Sequence, residues 1–243
     1  MSSGTLPDVP DTSASMQQTA LRIFGGLSGS YDSVLQYATL MQDRRWKEWV
    51  VRSVGLKSGS KVLDIGCGTC VLEERLRSDC LVVGVDLTMA MLRVAQGKHL
   101  RNVESLWLSD AERLPFKDRC FDAAASCYLV KYCDAETLVS EMARVLRPGG
   151  KLALYDFVTP RGNLWPLNAI YAYGGLRVAG RLLEMYHAKS AYTFSALPRI
   201  ITTRRWEAGF GKRLEDSGFV NVQGTLLSGG TAAAFRAVRK AAE

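Results

Sequence analysis

The spacing of apolar residues changes rhythm along this chain. In Gln17–Leu27 and again in Leu40–Val54 apolar positions recur every three or four residues, the period of a helix with one buried face. The second stretch, "QDRRWKEWVVRSVG", stops at Gly55, a residue suited to a left-handed helix end. From Lys61 the texture becomes short apolar runs separated by amphipathic segments. "KVLDIG", "CLVVGVD", "VESLWLSD", "CFDAAASCYL" and "KLALYDF" read as buried strands. "TCVLEERLRS", "TMAMLRVAQGK" and "AETLVSEMARVLR" read as the helices between them, with Thr88 as an N-cap and "PGG" as a breaker. Such alternation predicts a parallel, doubly wound α/β sheet.

Other patterns frame that unit. Residues 1–18 are rich in Ser, Thr, Pro and Asp and read as a disordered tail. An apolar, aromatic helical stretch over Gly162–His187 interrupts the alternation. "RRWEAGFGKRLEDSGF" reads as a further helix, and "VNVQGTLLSGGTAAAFRAVRK" as a closing pair of strands. The expected organisation is one domain over 19–243, with N-terminal helices over 19–57 and a helical lid over 162–205.

Composition narrows the partners. Apolar residues make up 47% of the chain, enough for a core without staples. A formal charge of +7 favours an anionic partner or surface, yet no helix-turn-helix, zinc-finger or basic-aromatic pattern supports nucleic acid. No apolar run is long enough to cross a bilayer. The first residues lack a secretory pattern, so the six cysteines read as free thiols in a reducing, cytoplasmic setting.

The candidate chemistry begins at "VLDIGCGTC". Gly66 and Gly68 let the chain turn sharply and present bare backbone to a ligand. Asp86 ends the second strand about twenty residues on, where a carboxylate can grip the hydroxyls of an adenosine ribose. Asp64, inside the strand before the glycines, would repel a pyrophosphate and suits a cationic ligand such as the amino group of S-adenosylmethionine (SAM). Val71 would crowd the last position of a dinucleotide fingerprint. Asp110, in "LSDAERLPF", can accept a hydrogen bond from an adenine amino group.

The motifs "VLDIGCGTC", "VVGVDLTMAML", "SDAERLPF", "FDAAASCYL" and "RVLRPGGKLALYDF" resemble, in order, those of class I SAM-dependent methyltransferases. The flanks, "SYDSVLQYATLMQDRRWKEWVV" and "DFVTPRGNLWPLNAIYAYGGLRVAGRLLE", are similar to the ubiquinone/menaquinone-biosynthesis C-methyltransferases, with likeness over about residues 20 to 240. The resemblance implies a Rossmann-like seven-stranded sheet, SAM as co-substrate, and a demethylated isoprenoid quinol as acceptor. It implies a cofactor bed of Asp64, Gly66, Cys67, Gly68, Asp86, Leu87, Asp110, Ala111 and Ser126, with Tyr31 and Arg45 near the methionine end. It also suggests a homodimer.

Carbon methylation needs an electron-rich ring, made so by loss of a phenolic proton. Tyr128, Asp156, His187 and Tyr192 are the residues expected to handle that proton. A basic face comprising Arg161, Arg177, Arg181, Arg199, Arg204, Arg205, Lys212 and Arg213 suggests peripheral contact with anionic lipid. Two departures stand out. Cys70 replaces the usual third glycine, and Cys127–Lys131 replaces Phe-Gly-Leu-Arg-Asn after the fourth strand. The pair Cys67 and Cys70 is expected to occupy variable small-residue slots, with no metal, because a structural zinc site normally wants four ligands. An O- or N-methyltransferase of another small acceptor, or a SAM-binding subunit without catalysis, are the alternatives.

Overall fold

The computed structural model describes residues 13–161, 166, 200–202 and 205–241. Its strands are β1 (Lys61–Ile65), β2 (Leu81–Asp86), β3 (Val103–Leu108), β4 (Phe121–Cys127), β5 (Leu146–Phe157), β6 (Phe219–Leu227) and β7 (Ala232–Arg239). They form one seven-stranded sheet in the order β3-β2-β1-β4-β5-β7-β6. The first five strands run parallel, and β7 runs antiparallel to both β5 and β6. The reversal follows from the chain: β6 and β7 are joined by the short turn over 228–231, so they pair as a hairpin. The runs "VLDI", "VVGV" and "LALYD" are buried almost throughout because layers cover both sheet faces.

The helices among the described residues are α1 (Ser13–Leu27), α2 (Tyr31–Ala38), α3 (Asp43–Val54), α4 (Met89–Gly97), α5 (Ala135–Val145) and α6 (Phe210–Asp216). Helix α3 buries Trp46, Val50 and Val54, one every fourth residue, and Trp46 meets Tyr155 and Phe157 edge-on. It ends, as its sequence predicts, at a left-handed Gly55 whose N–H donates to the Val51 carbonyl. Asp134 caps α5 by accepting from the Thr137 N–H. No described helix is long and apolar enough to cross a membrane.

Two expectations need correction, and a third holds in part. The tail over 1–18 is too long: α1 begins at Ser13, because Met16, Ile23 and Leu27 already form its buried stripe against Tyr132 and Ile200. The expected helix "TCVLEERLRS" is a series of turns with one 3-10 segment, Glu73–Arg75. Cys70, at φ 62°, is left-handed, which denies an α-helix its first turn, and the bonds that form are Cys70 N–H to Cys67, Arg75 N–H to Leu72 and Leu76 N–H to Glu73. Thr88 is the N-cap of α4 as expected, but its side chain makes no cap bond, and its backbone N–H donates to Asp86 Oδ1 at 2.7 Å. Most of the expected lid over 162–205 lies outside the described residues.

Candidate active site

The strand order reverses between β1 and β4, and a cavity opens there at the carboxyl ends of β1, β2 and β4, where ligands bind in doubly wound sheets. Its empty space, counting the open solvent at its mouth, is about 700 Å³. Of the expected cofactor bed, Tyr31, Gly66, Gly68, Asp86, Leu87, Asp110 and Ala111 line it. Gly68 is left-handed, at φ 55°, and a Cβ added there would meet nothing within 4 Å, so bare backbone faces open space.

The two strand-end carboxylates are set by local bonds. Asp86 Oδ2 accepts from the Gly68 N–H at 2.9 Å and its Oδ1 from Thr88, tying the β1 turn to the start of α4. Burial raises its pKa, opposed by those N–H bonds. Asp110 Oδ1 accepts from the Glu112 N–H, while Oδ2 accepts from Gln17 Nε2 at 2.9 Å. Helix α1 therefore closes one wall, with Gln17, Ala20 and Phe24 on the cavity. Phe24 lies edge-on to Tyr31 and Tyr132, with ring centroids 5.8 and 5.5 Å away. An apolar slot flanked by two carboxylates and bare backbone fits the adenosine part of SAM.

Sequence reasoning missed the α1 wall and Tyr132. The signal was present: Met16, Ala20, Ile23 and Leu27 keep helical spacing across the boundary drawn at residue 18.

Several expected residues are placed elsewhere. Asp64 is 2% exposed and does not line the cavity, because β1 carries it between Gly84 of β2 and Ala125 of β4 under the glycine turn. Cys67 is likewise sealed in; its Sγ packs so closely on Gly84 that a Cβ there would lie 2.8 Å from it. Ser126 is fully buried and its hydroxyl donates to the Ile65 carbonyl at 2.7 Å, stapling β4 to β1. Arg45 is exposed on α3, since Trp46 and Lys47 take the inward positions of that turn.

The proton-handling set also changes. Tyr128 does line the cavity, but its hydroxyl donates to Asp43 Oδ1 at 2.8 Å, where Tyr155 OH and Lys47 also converge. Burial raises the Tyr128 pKa, so the phenol stays protonated and cannot serve as a base. Asp156 is fully buried off the cavity, paired with Lys131 Nζ at 2.6 Å, and it also accepts from the N–H groups of Lys131 and Phe157. Burial lowers the Lys131 pKa and raises that of Asp156, and their mutual attraction opposes both shifts. That carboxylate is occupied. His187 and Tyr192 lie outside the described residues.

The departure after β4 acquires a structural meaning. Tyr128 occupies the position where the resembled motif has glycine, and it keeps the backbone that glycine favours, with φ 66°. Its ring packs on Tyr155 and Phe157, both at a 4.9 Å centroid distance.

Comparison with known proteins agrees with this geometry. A demethylmenaquinone methyltransferase from Mycobacterium sp. (strain JLS) is 31% identical over 244 residues, covering 98% of this chain and 99% of that one. The ubiquinone/menaquinone biosynthesis C-methyltransferase UbiE of Desulfotalea psychrophila is 31% identical over 176 residues, covering 70% and 72%. A structure of Haemonchus contortus phosphoethanolamine N-methyltransferase 2 with S-adenosylhomocysteine shares the fold at 18% identity. Its TM-score is 0.59, over 81% of this chain and 52% of that one. The profile of the ubiE/COQ5 methyltransferase family matches residues 12–239, and the chain belongs to that family of SAM-dependent methyltransferases.

Proposed function

We propose that this enzyme transfers the SAM methyl group to a ring carbon of a demethylated isoprenoid quinol. The observation that carries the reading is the family match over 12–239, reinforced by near full-length similarity to a demethylmenaquinone methyltransferase. SAM supplies an electrophilic methyl group. The chain's own residues bind and orient: Asp86 accepts from the ribose hydroxyls, Asp110 with Gln17 meets the adenine edge, and Leu87 and Ala111 flank the base. Beyond them Tyr31, Leu129 and Tyr132 form a largely apolar wall that excludes water and suits an aromatic ring.

The acceptor must lose a phenolic proton, and a free phenol has a pKa of about 10. Burial raises the pKa of Tyr31, Tyr128, Cys127 and Cys133 in the cavity wall, so these groups stay protonated. His187 and Tyr192, outside the described residues, stay the proposed proton-handling residues.

Turnover of labelled SAM against reduced demethylmenaquinone and polyprenyl-benzoquinol analogues, beside oxygen and nitrogen acceptors, tests the reading. The expected product carries a new carbon–methyl bond. Methyl transfer only to oxygen or nitrogen, or tight SAM binding with no turnover, would replace the reading with the corresponding alternative.

Peripheral contact with anionic lipid and a homodimer belong to the same proposal. In the described part of the basic face, Arg161 pairs with Glu207 and Lys212 with Asp216, which leaves attraction to lipid mainly to the other members. Flotation with anionic and neutral vesicles tests the contact, and light scattering tests the dimer.

A further inference from the structure

Beneath the glycine turn, outside the cavity, four acidic groups are buried together. Cys67, Cys70 and Glu73 are 7%, 0% and 1% exposed, and one ligand atom from each lies within 4.8 Å of the others. Asp64, 2% exposed, faces Glu73 from β1. Among the described residues neither Glu73 carboxylate oxygen has a hydrogen-bond partner, and Asp64 Oδ1 has none. What surrounds Glu73 is the Asp64 carboxyl and the Cys70 thiol, groups that would shed protons rather than supply compensating charge. Burying carboxylates in this way is unfavourable unless a cation or donor answers them.

A second observation points the same way. Cys70 holds a left-handed backbone, φ 62°, at a position where the resembled motif has glycine. Its thiol points into the acidic cluster. The backbone behind it is fixed, since Asn102 Nδ2 donates to the Glu73 carbonyl at 2.9 Å.

We propose that Cys67, Cys70 and Glu73 bind one divalent, borderline-soft transition-metal ion, for which zinc is the fit, with Asp64 as the carboxyl that orients Glu73. Two thiolates and a carboxylate supply three of the four positions zinc takes, leaving the fourth to a water, and a protonated Asp64 donating to Glu73 is the kind of outer partner that steadies a ligand. Zinc ligand atoms sit about 2.0–2.3 Å from the ion, hence roughly 3.3–3.8 Å from one another, so closing the site needs movement of roughly 1 Å. Cysteine ligates zinc as the thiolate, so uptake of the ion releases protons and weakens as pH falls. The ion would clamp the segment between Gly66 and Glu73, and with it the backbone of Gly68 that faces the cavity. The site is independent of which acceptor the enzyme methylates.

The test is a titration of reduced, chelator-stripped protein with Co²⁺ and then Zn²⁺. One Co²⁺ per chain is expected, with a thiolate-to-cobalt charge-transfer band that Zn²⁺ abolishes and with proton release. Cys70→Gly restores the residue that this backbone favours, and it is expected to keep its far-ultraviolet circular dichroism while losing the band. A wild-type titration without a charge-transfer band overturns the proposal. So does a band of equal strength in Cys70→Gly, which would place the ion on other cysteines.

Discussion

The turn after β1 and the turn after β4 flank the same cavity and bend in the same way, yet their buried charges are handled oppositely. Each sets a side chain on left-handed backbone where the family pattern has glycine, Cys70 in one and Tyr128 in the other. After β4 the polar groups find counterparts: Tyr128 donates to Asp43, and Lys131 Nζ donates to Asp156 and to the Tyr128 carbonyl at 2.7 Å. After β1 the Asp64 and Glu73 carboxyls lie against one another and the Cys70 thiol, and among the described residues Asp64 Oδ1 and both Glu73 oxygens have no hydrogen-bond partner, with Lys47 acting on Asp64 only through its charge. The acceptor-side departure is thus a closed electrostatic unit that shapes the wall. The cofactor-side departure is open: its buried carboxyl oxygens lack partners among the described residues, and the proposed ion would engage them.

Substitutions can sharpen that contrast. The largest effect is expected from Lys131→Met, which strands Asp156 as a buried charge and should cost about 3–5 kcal/mol in urea unfolding. Adding Asp156→Leu should recover most of that loss. If the single variant is as stable as wild type, the turn after β4 is not closed by this pair.

Asp86 reports on the cofactor side. Only its carboxylate can accept from two ribose hydroxyls, and Asp86→Ala should weaken SAM binding by roughly 10- to 100-fold in calorimetry. Because burial raises its pKa, affinity should fall as pH is lowered, with a midpoint above the ordinary value of about 3.9. Asp86→Asn should bind weakly without that pH dependence.

Tyr128→Phe removes one hydrogen bond to Asp43, which keeps Lys47 and Tyr155, and should cost about 1–2 kcal/mol of stability. The smallest change is the most discriminating. In metal-free protein Cys70→Gly should relieve left-handed strain and stabilise by up to about 1 kcal/mol. With excess Zn²⁺ present the sign should reverse, since only wild type gains from the ion.

Much of the sheet was legible because its central strands are apolar on both faces, and that pattern survives without knowledge of neighbours. The two strand-end carboxylates, Asp86 and Asp110, were legible for a related reason: their positions follow from where β2 and β3 stop. The burial of Asp64 was not legible, because sequence places it next to the glycines but does not say which way the strand turns its side chain. The helix expected after β1 failed at Cys70, whose left-handed backbone no propensity announces. Helix α2 was missed because its "YDSVLQYA" is short and buries little. Gln17 was overlooked since its partner, Asp110, stands 93 residues away. Local patterns carry local structure, and a contact of that span leaves no mark in either neighbourhood.

That last contact also bears on the order in which the enzyme assembles. Helix α1 is the first described element to leave the ribosome, but Asp110, Tyr132 and Ile200, which hold it, are synthesised much later. Contacts of long sequence separation form late, because the loop they close must be ordered first. The binding cleft is therefore expected to be finished late in folding, when the amino-terminal helix docks onto the sheet. A nascent chain would become competent for its methyl donor in one late step, and ligand added during refolding should accelerate nothing but that last docking.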